Sequence, residues 1–365
     1  MIIGGGPAGT AAAIAIARAG RMVTLIERHA IPTDKVCGDF LSAEAVSMLA
    51  TLGVDLSAAS PIDTVRLVHR NRTATSPLPF TALGFTRRAL DETLLQQASV
   101  SGAAVVRGQR VHAIRQDGRS LRLDCDVTST DAVFLATGKH ELRGTTRTER
   151  GTGWAALKMY YTLAPAQRDA LRRHVELILF AGGYAGLQLV EADRAVLCIL
   201  VSRARLHAAA GRWDRLLHAL TDQSPHLRNR LTGARPLRER PLTIAGLPYG
   251  YVHKPESHDV PGLFRLGDQA AVIASLTGDG VALALTSGSL AAQTWLAGRT
   301  GAHYHERLAA GVARQMRFAS AIHAACLKPA VQPWLTAGCR LWPRAIQMAA
   351  AATRVTGLTQ NGPAA

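Results

Sequence analysis

Met1-Ile2-Ile3-Gly4-Gly5-Gly6-Pro7-Ala8-Gly9 opens the chain, an apolar pair running straight into a glycine fingerprint. Read as strand, turn and helix, it is a dinucleotide cradle. Gly4 permits the tight turn, Gly6 lets backbone approach a pyrophosphate, and Gly9 allows the following helix to pack closely on the sheet. Pro7 and Ala8 belong to the same cofactor-binding turn, and the N-terminus of the following helix faces the phosphates. Glu27 follows eighteen residues after Gly9, at the end of the second apolar run, Val23-Thr24-Leu25-Ile26, where a carboxylate can accept from a ribose diol. Arg28 comes next. A glycine-rich turn alone would be weak evidence, but strand, Ala-rich helix and acid-terminated strand all occur in order.

At 365 residues the chain is long for one core, so one large domain with a smaller insertion is expected. Its apolar fraction of 48% suits a buried globular enzyme. Cys37, Cys125, Cys198, Cys326 and Cys339 are scattered, with no paired spacing and no adjacent histidine set, so neither disulfides nor a metal are expected. No apolar stretch reaches membrane-spanning length, and the first residues already read as strand, so a cytoplasmic protein is expected. The net charge of +16 is almost all arginine, since only five of the 42 basic residues are lysine. The arginines are spread along the chain and carry no nucleic-acid motif, which makes a solvated basic surface the first reading. Contact with anionic lipid or an acidic carrier protein stays open as an alternative.

The first 140 or so residues alternate strands and helices, with helices over Gly9–Ala19, Ala43–Leu52 and Arg88–Ser99 and strands at 65–68 and 73–83 that leave the nucleotide sheet. Shorter strands are expected at 104–106, 111–114, 121–125 and 132–135. Residues 151–255 have another texture. Strands at 154–162, 175–180, 184–190 and 195–201, with helices at 165–173 and 211–220, predict a second, mixed sheet. A strand at 264–266, a helix at 281–296 and an Ala-, Leu- and Arg-rich helical stretch from 305 to 357 complete the pattern. The expected fold is α/β: a Rossmann-like nucleotide domain (1–150 and 256–300, with a substrate-sheet excursion near 62–84), an inserted mixed-sheet substrate domain (151–255) and a helical C-terminal segment (301–365).

Three further motifs resemble those of the FAD-dependent oxidoreductases of the geranylgeranyl reductase and aromatic-hydroxylase superfamily, and the resemblance spans nearly the whole chain. Gly84-Phe85-Thr86-Arg87-Arg88-Ala89-Leu90-Asp91 is similar to the family segment whose arginine reaches the flavin nucleotide, which implies that role for Arg87. Gly267-Asp268, with Gly280 and Val281 twelve and thirteen residues on, is similar to the segment in which the aspartate meets the ribityl and pyrophosphate region. There a helix N-terminus at Gly278 and Gly280 points N–H groups at the pyrimidine end of the ring, where reduced flavin carries negative charge. Lys35-Val36-Cys37-Gly38-Asp39-Phe40 resembles the Lys-x-Cys-Gly loop of the reductase branch, which lies against the flavin and makes Lys35 and Cys37 candidates for chemistry, with Gly38 at the cofactor. The resemblance also sets Val111 against the adenine.

Departures from the family pattern matter too. Ala136-Thr137-Gly138-Lys139 stands where hydroxylases usually carry Asp-Gly, and no second glycine fingerprint follows. NADPH or NADH would therefore act as a transient reductant or be replaced by another donor. The tryptophan-rich signature usual in flavin-dependent halogenases is absent. The pocket is expected from Phe180, Tyr184, Leu187, Leu189, Pro248 and Tyr249, with Tyr249 closest to the ring. A monooxygenase-like enzyme acting on a lipophilic aromatic, polyketide-like or isoprenoid-like compound is the first expectation, and geranylgeranyl-reductase-like reduction of carbon–carbon double bonds the second.

Overall fold

The computed structural model describes residues 1–117, 120–124, 130–145, 147, 153–255, 259–260 and 262–354. Cys125, and the helical expectation beyond residue 354, lie outside the described residues. Five short strands form a parallel sheet in the order Leu263–Arg265, Val133–Leu135, Ile2–Ile3, Thr24–Glu27 and Ala104–Arg107. A parallel sheet covered on both faces needs strands that are apolar throughout, and Ile2-Ile3 and Val133-Phe134-Leu135 are. The opening helix Pro7–Arg18 and the helix Gly280–Leu296 lie together on one face. Their approach requires Gly288, because a Cβ there would fall 2.1 Å from the Ala8 carbonyl oxygen.

The larger sheet runs in the order Arg235–Pro236, Trp154–Thr162, Ala195–Ser202, Gly183–Leu189, Arg173–Phe180, Ser60–His69, Arg72–Gly84 and Phe40–Leu41, with Leu242–Ala245 also pairing with Trp154–Thr162. The 60–84 hairpin lies in this larger sheet, where Ser60–His69 pairs in parallel with Arg173–Phe180. Strand alternation gives this sheet two different faces. Leu157, Met159, Leu187, Leu189 and Leu197 point toward the helices Trp213–Gln223 and Pro225–Arg230, where Leu216, Leu220 and Leu227 complete a core. The opposite face carries Lys158, Cys198, Gly186, Leu177 and Leu67, one continuous transverse row in the strand registers.

Several element boundaries differ from the sequence reading, three of them with a plain physical reason. The helix beginning at Pro165 ends at Asp169 rather than Arg173, because Arg173, at φ +61°, already starts the strand that pairs with Ser60–His69. The strand expected at 111–114 begins instead at Ile114, where pairing with Ser120–Leu123 becomes available. The helical stretch after residue 300 resolves into Gly301–Leu327, Gln332–Leu341 and Arg344–Ala352, interrupted near Pro329 and at Pro343.

Candidate functional site: an extended groove and an apolar cavity

A groove runs from Glu27 to Gly280 along the carboxyl ends of the parallel strands. Its nucleotide half, about 600 Å³, is lined by Gly4, Glu27, Arg28, Lys35, Val111 and His140. Its inner half, about 190 Å³, is lined by Pro7, Ala8, Cys37, Gly38, Tyr249, Gly278, Gly280 and Val281. Gly6, Arg87 and Asp268 border both halves. The fingerprint and the glycines near 280 therefore face one continuous space. Gly9 lines neither half; a Cβ there would lie 2.0 Å from the Gly4 carbonyl oxygen, so its smallness serves the turn-to-helix contact.

Each wall has a local cause. Gly4 sits at φ +108°, with a hypothetical Cβ 2.3 Å from the Ala136 oxygen. The Glu27 carboxylate accepts from Gly5 N at 2.8 Å and His29 N at 3.0 Å, which fixes its orientation at the strand end. Arg87 is forked onto Asp91 at 2.8 and 2.9 Å, and Thr86 caps its helix. Arg28, Lys35, Arg110, Lys139 and His140 gather around the nucleotide half. Burial, then Arg28 and Lys35, holds the His140 imidazole down to about 4.

The residues present fit an extended dinucleotide. A Cβ at Gly38, Gly138 or Gly280 would meet no atom within 4 Å, so these glycines face open groove. The cation cluster suits a pyrophosphate, and the N-terminus of Gly280–Leu296 suits the electron-rich end of a flavin ring.

The loop carrying Lys35 and Cys37 is latched by Asp39, Lys158, Tyr160 and Gln188, which the sequence reading did not single out, together with Arg87. Lys158 Nζ lies 2.6 Å from Asp39 Oδ2 and donates to the Lys35 carbonyl at 3.0 Å. Tyr160 OH donates to the same carboxylate at 2.7 Å, Arg87 N reaches its other oxygen at 3.2 Å, and Gln188 Nε2 donates to the Asp39 carbonyl at 2.9 Å. The available signal was Lys158 itself, the one charge in the apolar strand Trp154–Thr162. Lys35 lines the nucleotide half, while Cys37 and Tyr249 line the inner half.

At the inner end, Tyr249 OH and Tyr184 OH meet Ser275 Oγ at 2.9 and 2.7 Å. Burial raises both phenols and pushes the nearby Cys198 thiol up to about 12, so all three stay protonated. Of the six residues expected to line the pocket, two face the inner groove. Tyr184 and Tyr249 line it, but Leu187 and Leu189 point to the other face of their strand, into the helix-covered core. Phe180 and Pro248 border neither groove nor cavity.

Beyond Gly38, Phe40, Ser275 and Gly278 opens a cavity of about 360 Å³, walled by Leu67, Leu177, Gly186, Ile322, Leu335, Cys339 and Ile346. Three C-terminal helices close it. Arg354 ties them to the inner end of the groove, donating to the Thr277 carbonyl at 2.5 Å with Nη1 2.9 Å from Asp279 Oδ1. Burial pushes the Asp279 carboxyl up to about 7 against the pull of Arg354.

Away from the groove, His253, Asp259 and His305 come together with ligand-type atoms within 4.8 Å. His305 Nε2 accepts from Arg265 N at 3.0 Å, so this cluster joins the helix Gly301–Leu327 to the parallel sheet.

Residues 1–133 match the family model described as an FAD binding domain. Across 323 residues the chain is 27% identical to a menaquinone reductase of Mycolicibacterium smegmatis, covering 82% of this chain and 76% of that protein. These matches make the chain similar to the FAD-dependent oxidoreductase and monooxygenase superfamily. It is an enzyme, and FAD is its cofactor. A menaquinone reductase of Mycobacterium tuberculosis is 28% identical over 326 residues, 80% of this chain and 75% of the relative. Among solved structures, flavin-dependent brominase Bmp2 superposes with TM-score 0.77 at 16% identity over 100% of this chain and 95% of that one. A geranylgeranyl bacteriochlorophyll reductase-like protein of Thermoplasma acidophilum gives 0.74 at 19% identity, covering 96% and 94%. These structures share the α/β fold with its mixed second sheet. Among the described residues, no helix is long and apolar enough to cross a membrane.

Proposed function

We propose that this oxidoreductase is a reductase that delivers two electrons to a lipophilic compound of the polyprenyl or polyprenyl-quinone class. The observation that carries this reading is the apolar cavity opening at the ring end of the groove, where a long hydrocarbon chain can lie while its reacting carbon meets the flavin face. The menaquinone reductase relatives and the Lys35-Val36-Cys37-Gly38 loop support a reductase over the monooxygenase-like reading that the sequence placed first.

Bound FAD supplies reversible two-electron and hydride chemistry. The chain's own residues supply the rest. The cavity wall excludes water, Tyr184 and Tyr249 hold Ser275 against the inner groove, and Tyr184, Tyr249 and Cys37, which border that space, are the side chains that can supply the proton to the carbon beside the one that takes the hydride.

The test is an anaerobic single turnover. Dithionite-reduced enzyme mixed with menaquinone should regain oxidised-flavin absorbance and give a product heavier by two hydrogens. Stability of that product in air separates a saturated tail from a quinol. A product that forms only with oxygen and gains one oxygen atom would favour the monooxygenase-like reading, which the same water-excluding cavity also serves. NADPH and NADH are the first electron donors to assay.

A further inference from the structure

We propose that the outer surface of the C-terminal helices is a docking face for a lipid bilayer bearing anionic headgroups. The helices Gln332–Leu341 and Arg344–Ala352 wall the apolar cavity with Leu335, Cys339, Ile346 and Ala349. Their outward side is also apolar. Trp334 is 77% exposed, Leu341 87%, Trp342 54% and Met348 58%. Trp334 and Leu341 stand two helical turns apart on one stripe of Gln332–Leu341, and the exposed Trp342 and Met348 follow at the turn before and within Arg344–Ala352. Single exposed apolar residues are ordinary, but four within fifteen positions of sequence form a patch, and a patch marks an interaction surface.

Charge identifies the occupant. No Asp or Glu follows Glu306, while Arg314, Arg317, Lys328, Arg340 and Arg344 do. All five are exposed, and the strand Arg72–Gly84, on which the two helices rest, carries no acid either. Tryptophan and leucine interleaved with arginine suit the headgroup boundary, where rings and methyls enter the acyl region and guanidinium groups stay with phosphates. A second copy of a chain with net charge +16 is repelled, whereas an anionic leaflet is attracted. The proposal extends the reductase reading, because a bilayer-dwelling substrate would then reach the cavity through helices already resting on its solvent.

Flavin-loaded full-length protein should be sedimented with phosphatidylcholine vesicles, with and without phosphatidylglycerol and free of any polyprenyl lipid, so that the result is independent of turnover. Partitioning at least about tenfold stronger with phosphatidylglycerol is expected, together with a blue shift of tryptophan emission. The variant Trp334→Ser/Leu341→Ser/Trp342→Ser should lose about tenfold or more on both vesicles. Arg340→Glu/Arg344→Glu should lose only the phosphatidylglycerol enhancement. Retained flavin absorbance and turnover in detergent micelles show that each variant is folded. Parent protein that ignores vesicles, equal partitioning of parent and triple variant, or a dimer of the parent that the triple variant abolishes would each overturn the proposal.

Discussion

Lys158 Nζ and Asp39 Oδ2 lie 2.6 Å apart, and neither side chain has any exposed surface. The pair joins the second sheet to the loop that carries Cys37 and Gly38, so the geometry of that loop is set from the second sheet. Breaking a buried pair strands a charge. Lys158→Met or Asp39→Asn alone should cost about 3–5 kcal/mol in urea denaturation, and the double variant clearly less than the sum. Flavin affinity should fall in both single variants, measured by fluorescence titration.

Glu27 is held by two backbone donors before any ligand arrives, and its carboxylate borders the nucleotide half of the groove. Glu27→Ala removes an acceptor for the ribose and leaves Gly5 N without its partner. FAD binding should weaken about tenfold or more, equivalent to about 1.4 kcal/mol, in the same titration.

Gly186 faces the cavity, not the inner groove, and a Cβ there meets nothing within 4 Å. Gly186→Leu should therefore fill space without disturbing FAD. KM for a long-tailed substrate should rise about tenfold, FAD affinity should stay level, and thermal stability should hold or rise slightly. An unchanged KM would place the substrate elsewhere.

Arg354→Met leaves Asp279 buried beside Glu44 with its main counter-charge gone. The loop Thr277–Gly280 should loosen, stability should fall by about 2–3 kcal/mol at neutral pH, and the loss should shrink in acid, where Asp279 takes a proton. Denaturation midpoints at several pH values test this.

Burial holds His305 down to about 3 and His323 to about 4. Below the ordinary histidine value near 6.5 the unfolded chain binds more protons than the native one, so stability rises with pH and is lost on acidification. Each histidine should account for about 2 kcal/mol between about pH 6.5 and about pH 5. His323→Phe should flatten that limb of the stability curve by one histidine's share, about a third, since His305 and His140 keep theirs.

The nucleotide half was readable because backbone conformation dictates residue type there: the turn at Gly4 and the strand-end acid at Glu27 leave few alternatives. The helix Ala43–Leu52 was equally plain, since Ser42 caps it and Gly53 closes it at φ +83°. The pocket walls were harder. Leu187 and Leu189 differ from Tyr184 and Gly186 only in which side of a pleat they occupy, and a strand buried on both faces carries no polar alternation to reveal it. Asp39 and Lys158 are far apart in sequence, and their pairing depends on a register between elements that local pattern does not encode. Arg354 read as one more surface arginine for the same reason.

One wall of the groove is built from Gly6, Pro7 and Ala8 and the other from Gly278, Gly280 and Val281, with the entire mixed sheet encoded between them. A ribosome must therefore release nearly all of that intervening sheet before the two walls can meet. Cofactor capture is accordingly a late, post-translational event, and a nascent chain stalled before Gly278 emerges would be colourless.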